Sequence, residues 1–197
     1  MILRRYLLGL SLALTCLGFA HAQTPAPQVK FTTSAGEFVI ELYPDKAPNT
    51  VENFLTYVRD GHYNGLIFHR VINNFMIQGG GYDARYMEKP TRPPIKHEGA
   101  EVKAKGGPTN TVGTIAMART NNPHSASSQF FINVNNNDFL NHSAPSAQGW
   151  GYVAFGKVVS GMEVVNKIKM TPTGAGGPFP SDVPQTQVVI QSAALVK

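Results

Sequence analysis

The stretch FHRVINNFMIQGG, residues 68–80, has the pattern of two short strands separated by a pair of asparagines and closed by glycines. Side chains alternate across a strand, so Phe68, Arg70 and Ile72 are expected to share one face. An arginine between apolar neighbours usually packs its stem on the surface and keeps its head in water. The stretch therefore predicts a β fold, while a functional role for Arg70 needs support from elsewhere in the chain.

Strand-like runs recur along the whole sequence. Eight are predicted: Val29–Thr33, Glu37–Tyr43, Leu66–Ile72, Phe75–Gln78, Thr111–Ala118, Phe130–Val134, Tyr152–Val159 and Gln187–Ile190. The 19 glycines and 14 prolines disfavour a helical bundle. We therefore expect a mainly β fold, a closed eight-stranded antiparallel barrel, because closure leaves no strand edge exposed. Polar stretches at 79–110, 119–128 and 135–151 exceed ordinary connections and indicate functional loops.

Two amphipathic segments are predicted to be α-helices. The first begins at Asn49, with Glu52 three residues later as in a capping box, and ends before Gly61. The second begins at Ser160, with Glu163 in the matching place. We expect these two α-helices to cap the open ends of the barrel.

The N-terminus has the pattern of a secretory signal peptide. Arg4 and Arg5 precede an uncharged apolar run, and Ala-His-Ala at 20–22 fits a small-residue cleavage site. The run is shorter than the ~20 residues needed to span a bilayer, so no stable membrane anchor is expected. The predicted organisation is a signal peptide at 1–22, a short tether at 23–28 and one domain at 29–197. This pattern predicts export to the periplasm.

Composition and spacing exclude several classes of function. At 42% hydrophobic and 15% charged residues, the chain is too apolar to be disordered throughout. Its one cysteine, Cys16, lies in the signal peptide, so the mature chain can form no internal disulfide. The histidines lack metal-ligand spacing, and no cofactor or metal is expected. Removing Arg4 and Arg5 from 17 basic against 12 acidic residues leaves a net charge of +3, without a basic stripe for nucleic acid.

A set of ordered motifs points to one family. The motifs are FHRVI at 68–72, FMIQGG at 75–80, SQFFI at 128–132 and VAFGKV at 153–158. In this order and spacing the chain resembles the cyclophilins, the cyclosporin-binding family of peptidyl-prolyl cis-trans isomerases, from Val29 to Val196. The signal peptide, Tyr152 and the extended 135–151 segment resemble the exported bacterial branch of that family.

The resemblance implies a role for each site residue. The catalytic arginine of the family corresponds to Arg70. The substrate-binding residues correspond to Phe75, Met76, Gln78, Ala118, Arg119, Gln129, Phe131, Phe139, Leu140 and Tyr152. Phe139 stands where many eukaryotic members have tryptophan, and Tyr152 stands where they have histidine. Because Phe139 lacks an indole N–H donor, weak or no cyclosporin binding is expected.

The implied reaction is rotation about X-Pro peptide bonds, which has a barrier of about 18–20 kcal/mol. The expected mechanism is non-covalent: an N–H of Arg70 directed at the prolyl nitrogen would stabilise the twisted amide. The expected partners are proline-containing segments of unfolded or partly folded proteins, and the expected role is to assist the folding of exported proteins. An alternative is a non-catalytic chaperone on the same fold, but simple binding would not need Arg70. A monomer is expected, because a closed barrel has no free strand edge.

Overall fold

The computed structural model describes residues 25–196, so the predicted signal peptide at 1–22 lies outside the described residues. The strands are β1 Gln28–Thr33, β2 Gly36–Leu42, β3 Arg70–Ile72, β4 Met76–Gly79, β5 Thr114–Met117, β6 Phe130–Asn133, β7 Ala154–Ser160, β8 Thr173–Gly176, β9 Phe179–Pro184 and β10 Ile190–Leu195. The helices are α1 Pro48–Arg59, α2 Gly99–Ala104, a 3-10 helix Asp138–Leu140 and α3 Met162–Lys169. The predicted mainly β class is confirmed. Over this part of the chain, no helix is both long enough and apolar enough to cross a membrane.

Eight strands form one antiparallel sheet in the order β10-β1-β2-β7-β5-β6-β4-β3, and β8 and β9 form a separate hairpin. The sheet is strongly curled, but its two end strands are not paired as a ladder, so the predicted closed barrel is corrected to an incompletely closed one. The seam between them contains an isolated bridge between Ile67 and Val189 and a hydrogen bond of 3.0 Å from Phe68 N–H to the Val188 carbonyl. Ile190 N–H also donates across the seam to the Leu66 carbonyl, at 2.7 Å, whereas Ile67 N–H points away from the seam and donates to the Tyr82 carbonyl, at 2.9 Å.

Two predicted strands differ from the observed ones. The run 66–72 contains only the three-residue β3, and the predicted strand at 187–190 overlaps β10 only at Ile190. The β8–β9 hairpin was not predicted, because its glycine- and proline-rich sequence lacks the apolar alternation of a strand. This hairpin packs beside β3, next to Arg70.

The start of α1 also differs from the prediction. Instead of a capping box with Glu52, the buried carboxylate of Glu98 accepts hydrogen bonds from the backbone N–H groups of Asn49 and Thr50, at 3.0 and 2.7 Å. A carboxylate distant in sequence thus satisfies the free N–H groups of the first turn. Helix α3 is confirmed as an element, but its predicted start at Ser160 is wrong: Ser160 ends β7, and the helix begins after Gly161 without a side-chain cap. Helix α2 and the 3-10 helix were not predicted.

Two apolar clusters lie on opposite faces of the sheet. The main core is rich in aromatic rings, and Phe54 meets Phe130 edge-to-face with ring centroids 5.8 Å apart. A smaller cluster, here called the outer cluster, contains Met76, Ala116, Phe131, Leu140 and Ala154. Alternating side chains of the same strands supply both clusters. A second apolar surface is therefore built on the outside of the curled sheet.

Candidate active site

The register of three short strands aligns the polar residues of the site. On β4, Ile77 points into the core, whereas Met76 joins the outer cluster. Gln78 is paired with Arg70 on β3 and with Phe131 on β6. Arg70, Gln78 and Phe131 therefore form a row across neighbouring strands, which are spaced by about 4.8 Å.

The predicted shared face of Phe68 and Arg70 is wrong. Phe68 is buried in the core, whereas Arg70 is exposed. The chain is not in a strand at residues 68–69, so the two-residue period starts only at β3. His69 is also buried, with its ring 4.7 Å from that of Tyr82 and 5.6 Å from that of Phe179.

A cavity of about 180 Å³ opens on the outer cluster and is called the slot here. It is lined by Arg70, Phe75, Met76, Gln78, Ala118, Arg119, Phe131, Leu140 and Tyr152. Nine of the eleven predicted site residues thus meet at one place. Because a cavity of about 150 Å³ can hold a benzene ring, the slot has room for a five-membered ring.

The other two predicted residues lie beside the slot. Gln129 lines an adjoining cavity of about 290 Å³, and its Oε1 accepts a hydrogen bond of 3.0 Å from Gln78 Nε2. Phe139 is 72% exposed at the rim and stacks on Phe75, with ring centroids 5.8 Å apart. Both residues are thus next to the slot without forming its lining.

The slot has two walls of different construction. The strand wall consists of Arg70, Met76, Gln78 and Phe131, which β3, β4 and β6 carry. The loop wall consists of Phe75, Leu140 and Tyr152, which belong to the turn before β4, the 3-10 helix and the segment before β7. The two walls meet where the ring of Tyr152 packs edge-to-face on that of Phe131, with centroids 5.5 Å apart.

The two arginines of the slot differ in how far their guanidinium groups are engaged. Arg119 donates from Nε to the Gly151 carbonyl at 2.9 Å, and its Cζ lies 4.6 Å from the ring centroid of Tyr152. Arg70 is about half exposed, and its Nε lies 3.9 Å from the carboxylate of Asp182, beyond hydrogen-bond distance. Of these two arginines, Arg70 is thus the one with N–H donors available to a ligand.

Backbone groups at the end of the slot are also available. Ala118 N–H donates to the Gln129 carbonyl at 2.9 Å. Within residues 25–196, the Ala118 carbonyl and the Arg119 N–H have no hydrogen-bond partner. One acceptor and one donor are therefore free to pair with an extended peptide, as a sheet edge would.

The histidine beside Arg70 is not suited to proton transfer. Burial, followed by the positive charge of Arg70, lowers the pKa of His69 from 6.5 to about 4. His69 is thus neutral at neutral pH and turned away from the slot, towards Tyr82 and Phe179. In the part of the chain that the structure describes, no group of three or more histidine, cysteine or acidic side chains could hold a metal ion.

Two features of the site were not predicted from the sequence. Asp182, beside Arg70, has a positive φ of 66° and belongs to the unpredicted β8–β9 hairpin. A set of buried asparagines contacts the loop wall from behind, and it includes Asn110, Asn133 and Asn137. The run NVNNN at 133–137 was the available indication, but it has the composition of an ordinary polar loop.

The site combines an apolar slot, a guanidinium without a hydrogen-bonded partner among the described residues, and free backbone groups. Such a site can bind a peptide and act on it without forming a covalent bond. A family model described as "Cyclophilin type peptidyl-prolyl cis-trans isomerase/CLD" matches residues 28–195. The chain belongs to this family, and it is a peptidyl-prolyl cis-trans isomerase. The predicted fold family and activity are confirmed.

Individual proteins support the same assignment. The chain is 55% identical to peptidyl-prolyl cis-trans isomerase B of Escherichia coli (strain K12) over 167 residues, which cover 85% of this chain and 98% of that protein. It is 52% identical to peptidyl-prolyl cis-trans isomerase cyp18 of Streptomyces antibioticus, over 85% of this chain and 98% of that protein. A crystal structure of a Cryptosporidium parvum cyclophilin-type isomerase in the presence of the dipeptide Ala-Pro is similar, with a TM-score of 0.67 and 25% identity over 86% of this chain and 99% of that one.

Proposed function

We propose that Arg70 is the catalytic residue and that the slot holds the proline ring of the substrate. The observation that carries this assignment is the juxtaposition of a half-exposed, uncommitted guanidinium with an apolar cavity of about 180 Å³. The substrates are proline-containing segments of unfolded or partly folded proteins. No side chain needs to form a bond to them, because the reaction breaks none.

The mechanism follows from the resistance of the amide bond to twisting. Resonance between nitrogen and carbonyl keeps the X-Pro bond planar, and it is lost in the twisted transition state, where the nitrogen regains its lone pair. An N–H of Arg70 donated to this nitrogen stabilises the twisted form more than either planar isomer. Arginine suits this role because its planar group stays charged and presents several donors in fixed directions.

The remaining slot residues restrict rotation to one bond. Phe75, Met76, Phe131 and Leu140 contact the ring, while Gln78 and the free backbone groups of Ala118 and Arg119 hold the preceding residue. Holding both sides of the bond keeps the reacting geometry in place. A barrier lowered by about 7 kcal/mol would accelerate exchange roughly 10⁵-fold.

The test compares Arg70→Ala with Arg59→Ala, a control on α1 whose guanidinium pairs with Glu52 and lines no part of the slot. In a protease-coupled assay with an Ala-Pro peptide, we expect Arg70→Ala to lower kcat/KM about 100-fold or more and Arg59→Ala to leave it unchanged. Equal rates for Arg70→Ala and the wild type would refute the assignment. They would favour the alternative, a chaperone that binds proline segments without turning them over.

We further propose that the protein is exported to the periplasm and assists folding there. The support is the signal-peptide pattern at residues 1–22, with Arg4 and Arg5 before an apolar run. Cell fractionation with N-terminal sequencing should find a periplasmic protein that begins at Gln23. A cytoplasmic protein that retains residues 1–22 would contradict export.

Two finer properties complete the proposed function. Phe139 at the rim carries no N–H donor, so cyclosporin should bind weakly, and Phe139→Trp should increase its affinity. We also propose a monomer, because the segment before β3 is hydrogen-bonded across the seam to residues 188–190 and the β8–β9 hairpin packs beside β3, so part of the strand edge is covered. Titration calorimetry and sedimentation analysis test these two points, and tight cyclosporin binding by the wild type or a stable dimer would contradict them.

A further inference from the structure

The loop wall of the slot is held from behind by a chain of buried asparagine side chains. Asn110, Asn133 and Asn137 are each at most 2% exposed. Asn137 Nδ2 donates to Asn133 Oδ1 at 2.7 Å, and Asn133 Nδ2 donates to Asn110 Oδ1 at 3.2 Å. Three amide groups from two parts of the chain, residue 110 and residues 133–137, are therefore linked in series, in an interior where such bonds are protected from water.

The two ends of this asparagine chain reach the three residues of the loop wall. Asn110 Nδ2 donates to the carbonyls of Leu140, at 3.2 Å, and Tyr152, at 3.1 Å. Asn137 Nδ2 donates to the carbonyl of Phe75, at 2.9 Å. Each residue of the loop wall thus has its backbone carbonyl bonded to one of these amides.

The backbone carbonyls of the loop wall differ in whether they have hydrogen-bond donors other than the asparagines. The Phe75 carbonyl also accepts a hydrogen bond from Val134 N–H, at 3.0 Å, so it has a second backbone partner. The Leu140 carbonyl also accepts from Tyr152 N–H, at 2.8 Å, but this bond joins two members of the same wall. Asn110 therefore provides the bonds that join the carbonyls of Leu140 and Tyr152 to the rest of the fold, while the neighbouring carbonyls of Gly151 and Val153 are bonded to Arg119 Nε and Met117 N–H.

We propose that Asn110, Asn133 and Asn137 are positioning residues for the isomerase reaction, which set the distance between the loop wall and the strand wall. The asparagines do not touch the slot, and they act through Phe75, Leu140 and Tyr152. This role presupposes the proposed function of the slot and of Arg70.

The role predicts a specific kinetic signature. Arg70 stands on β3, to which none of the three asparagine side chains bonds, so rotation of a bound substrate should continue when Asn110 or Asn137 is changed. Binding of the proline ring should weaken, because Leu140 and Tyr152 lose the hydrogen bonds to their carbonyls. A loss of asparagine support thus raises KM, whereas a loss of Arg70 lowers kcat.

The experiment measures kcat and KM for an Ala-Pro peptide by NMR exchange and line-shape analysis, on variants shown to be folded by near-ultraviolet circular dichroism. Asn110→Ala is expected to raise KM about tenfold, as the loss of one or two hydrogen bonds implies, with kcat within about twofold of the wild type. Asn137→Ala should raise KM less, because Phe75 keeps its bond to Val134. Asn110→Ser, whose hydroxyl can donate one hydrogen bond, should restore part of the affinity and also serves if Asn110→Ala does not fold.

Two controls separate positioning from general stability. Asn64→Ala removes a hydrogen bond from Ala193 N–H to an asparagine away from the slot, and Ile40→Val weakens the core on β2. Both should lower the melting temperature and leave KM unchanged. An unchanged KM in the folded Asn110 variants, or an equal rise in KM in the controls, would overturn the role of the asparagines. An unchanged rate in Arg70→Ala would instead refute the proposed function itself, so the two failures can be told apart.

Discussion

The two walls of the slot line the same cavity but are held in place by different kinds of hydrogen bond. In the strand wall, Met76, Gln78 and Phe131 are fixed by the ladder between β4 and β6, which hydrogen-bonds their backbone directly. In the loop wall, the carbonyls of Leu140 and Tyr152 accept hydrogen bonds from the side chain of Asn110. A ladder cannot shift without breaking several bonds together, whereas a 3-10 helix can move as a small unit. The strand wall is therefore the fixed side of the slot and the loop wall is its adaptable side.

We expect the largest effect from a fall in pH, which should lower the free energy of unfolding because a buried neutral histidine lies behind each wall. His69 neighbours Arg70, and His97 lies 3.3 Å from the carbonyl of Gly151, next to Tyr152. Burial, as the largest cause, lowers the pKa of both from 6.5 to about 4. The unfolded chain therefore binds protons more strongly between these values. The stability that each neutral histidine contributes is complete above about pH 6.5 and is lost as the pH falls to about 4.

Urea unfolding between pH 7.5 and pH 4 measures this effect. Each histidine can contribute at most about 3 kcal/mol to the loss of unfolding free energy. His97→Gln, which removes the titrating group behind the loop wall, should flatten the acid dependence, and so should His69→Gln behind the strand wall. If neither variant changes the slope of stability against pH, the two histidines are not the acid-sensitive groups.

The next largest effect is expected in the strand wall. Phe131→Ala removes the ring that faces the slot and contacts Tyr152, on a strand that cannot move inward to fill the space. We expect kcat/KM to fall about 100-fold, which corresponds to the loss of about 2–3 kcal/mol of apolar contact. Steady-state kinetics on the folded variant check this result, and a fall of less than about fivefold would contradict a rigid strand wall.

A smaller effect is expected from the matching change in the loop wall. Leu140→Ala also removes a buried apolar side chain, but the 3-10 helix can shift towards the cavity and partly close it. We expect kcat/KM to fall about tenfold, clearly less than for Phe131→Ala. The same assay, run on both variants, tests the comparison directly, and equal losses would show that the two walls are equally rigid.

We expect the smallest effect on kcat from a change at Asp182, the neighbour of Arg70. Its carboxylate is partly exposed and lies 3.9 Å from Arg70 Nε, so the ion pair is weak. Asp182→Asn should change kcat by about two- to threefold and should reduce the dependence of the rate on salt. Rates measured at low and high ionic strength check both points, and a loss as large as that of Arg70→Ala would mean that Asp182 is essential to the arginine.

The sequence predicts the strand wall better than the loop wall, for physical reasons. The resemblance to the family assigned Met76 and Phe131 to the site, and the period of two along β4 and β6 agrees with it, because the ladder fixes the direction of alternate side chains. The face of Phe68 was predicted wrongly, because the chain is not in a strand at 68–69, where Ile67 N–H donates to Tyr82 and Phe68 N–H donates to Val188. No local pattern determines that bend, which depends on contacts distant in sequence.

The loop wall could be assigned only through the resemblance to the family. Leu140 belongs to the long polar segment 135–151, and Tyr152 was predicted to begin a strand but lies before β7. The carbonyls of both accept hydrogen bonds from a buried amide, Asn110, that lies 30 or more residues away in sequence. The same limit applies to Glu98, whose carboxylate bonds the first turn of α1 at Thr50 although it lies 48 residues away in sequence. Local patterns determine which residues form strands and helices, but they do not reveal such distant side-chain bonds.

The most direct test of the proposed role of Arg70 is the cis-trans rate of a peptide that is bound to the enzyme. With an Ala-Pro peptide kept bound by an excess of enzyme, two-dimensional NMR exchange measures the cis-trans rate, and a separate titration measures the affinity. For Arg70→Ala, we predict that the bound-state rate falls about 100-fold or more while Kd changes by less than about threefold. A bound-state rate equal to that of the wild type would contradict the central role of Arg70.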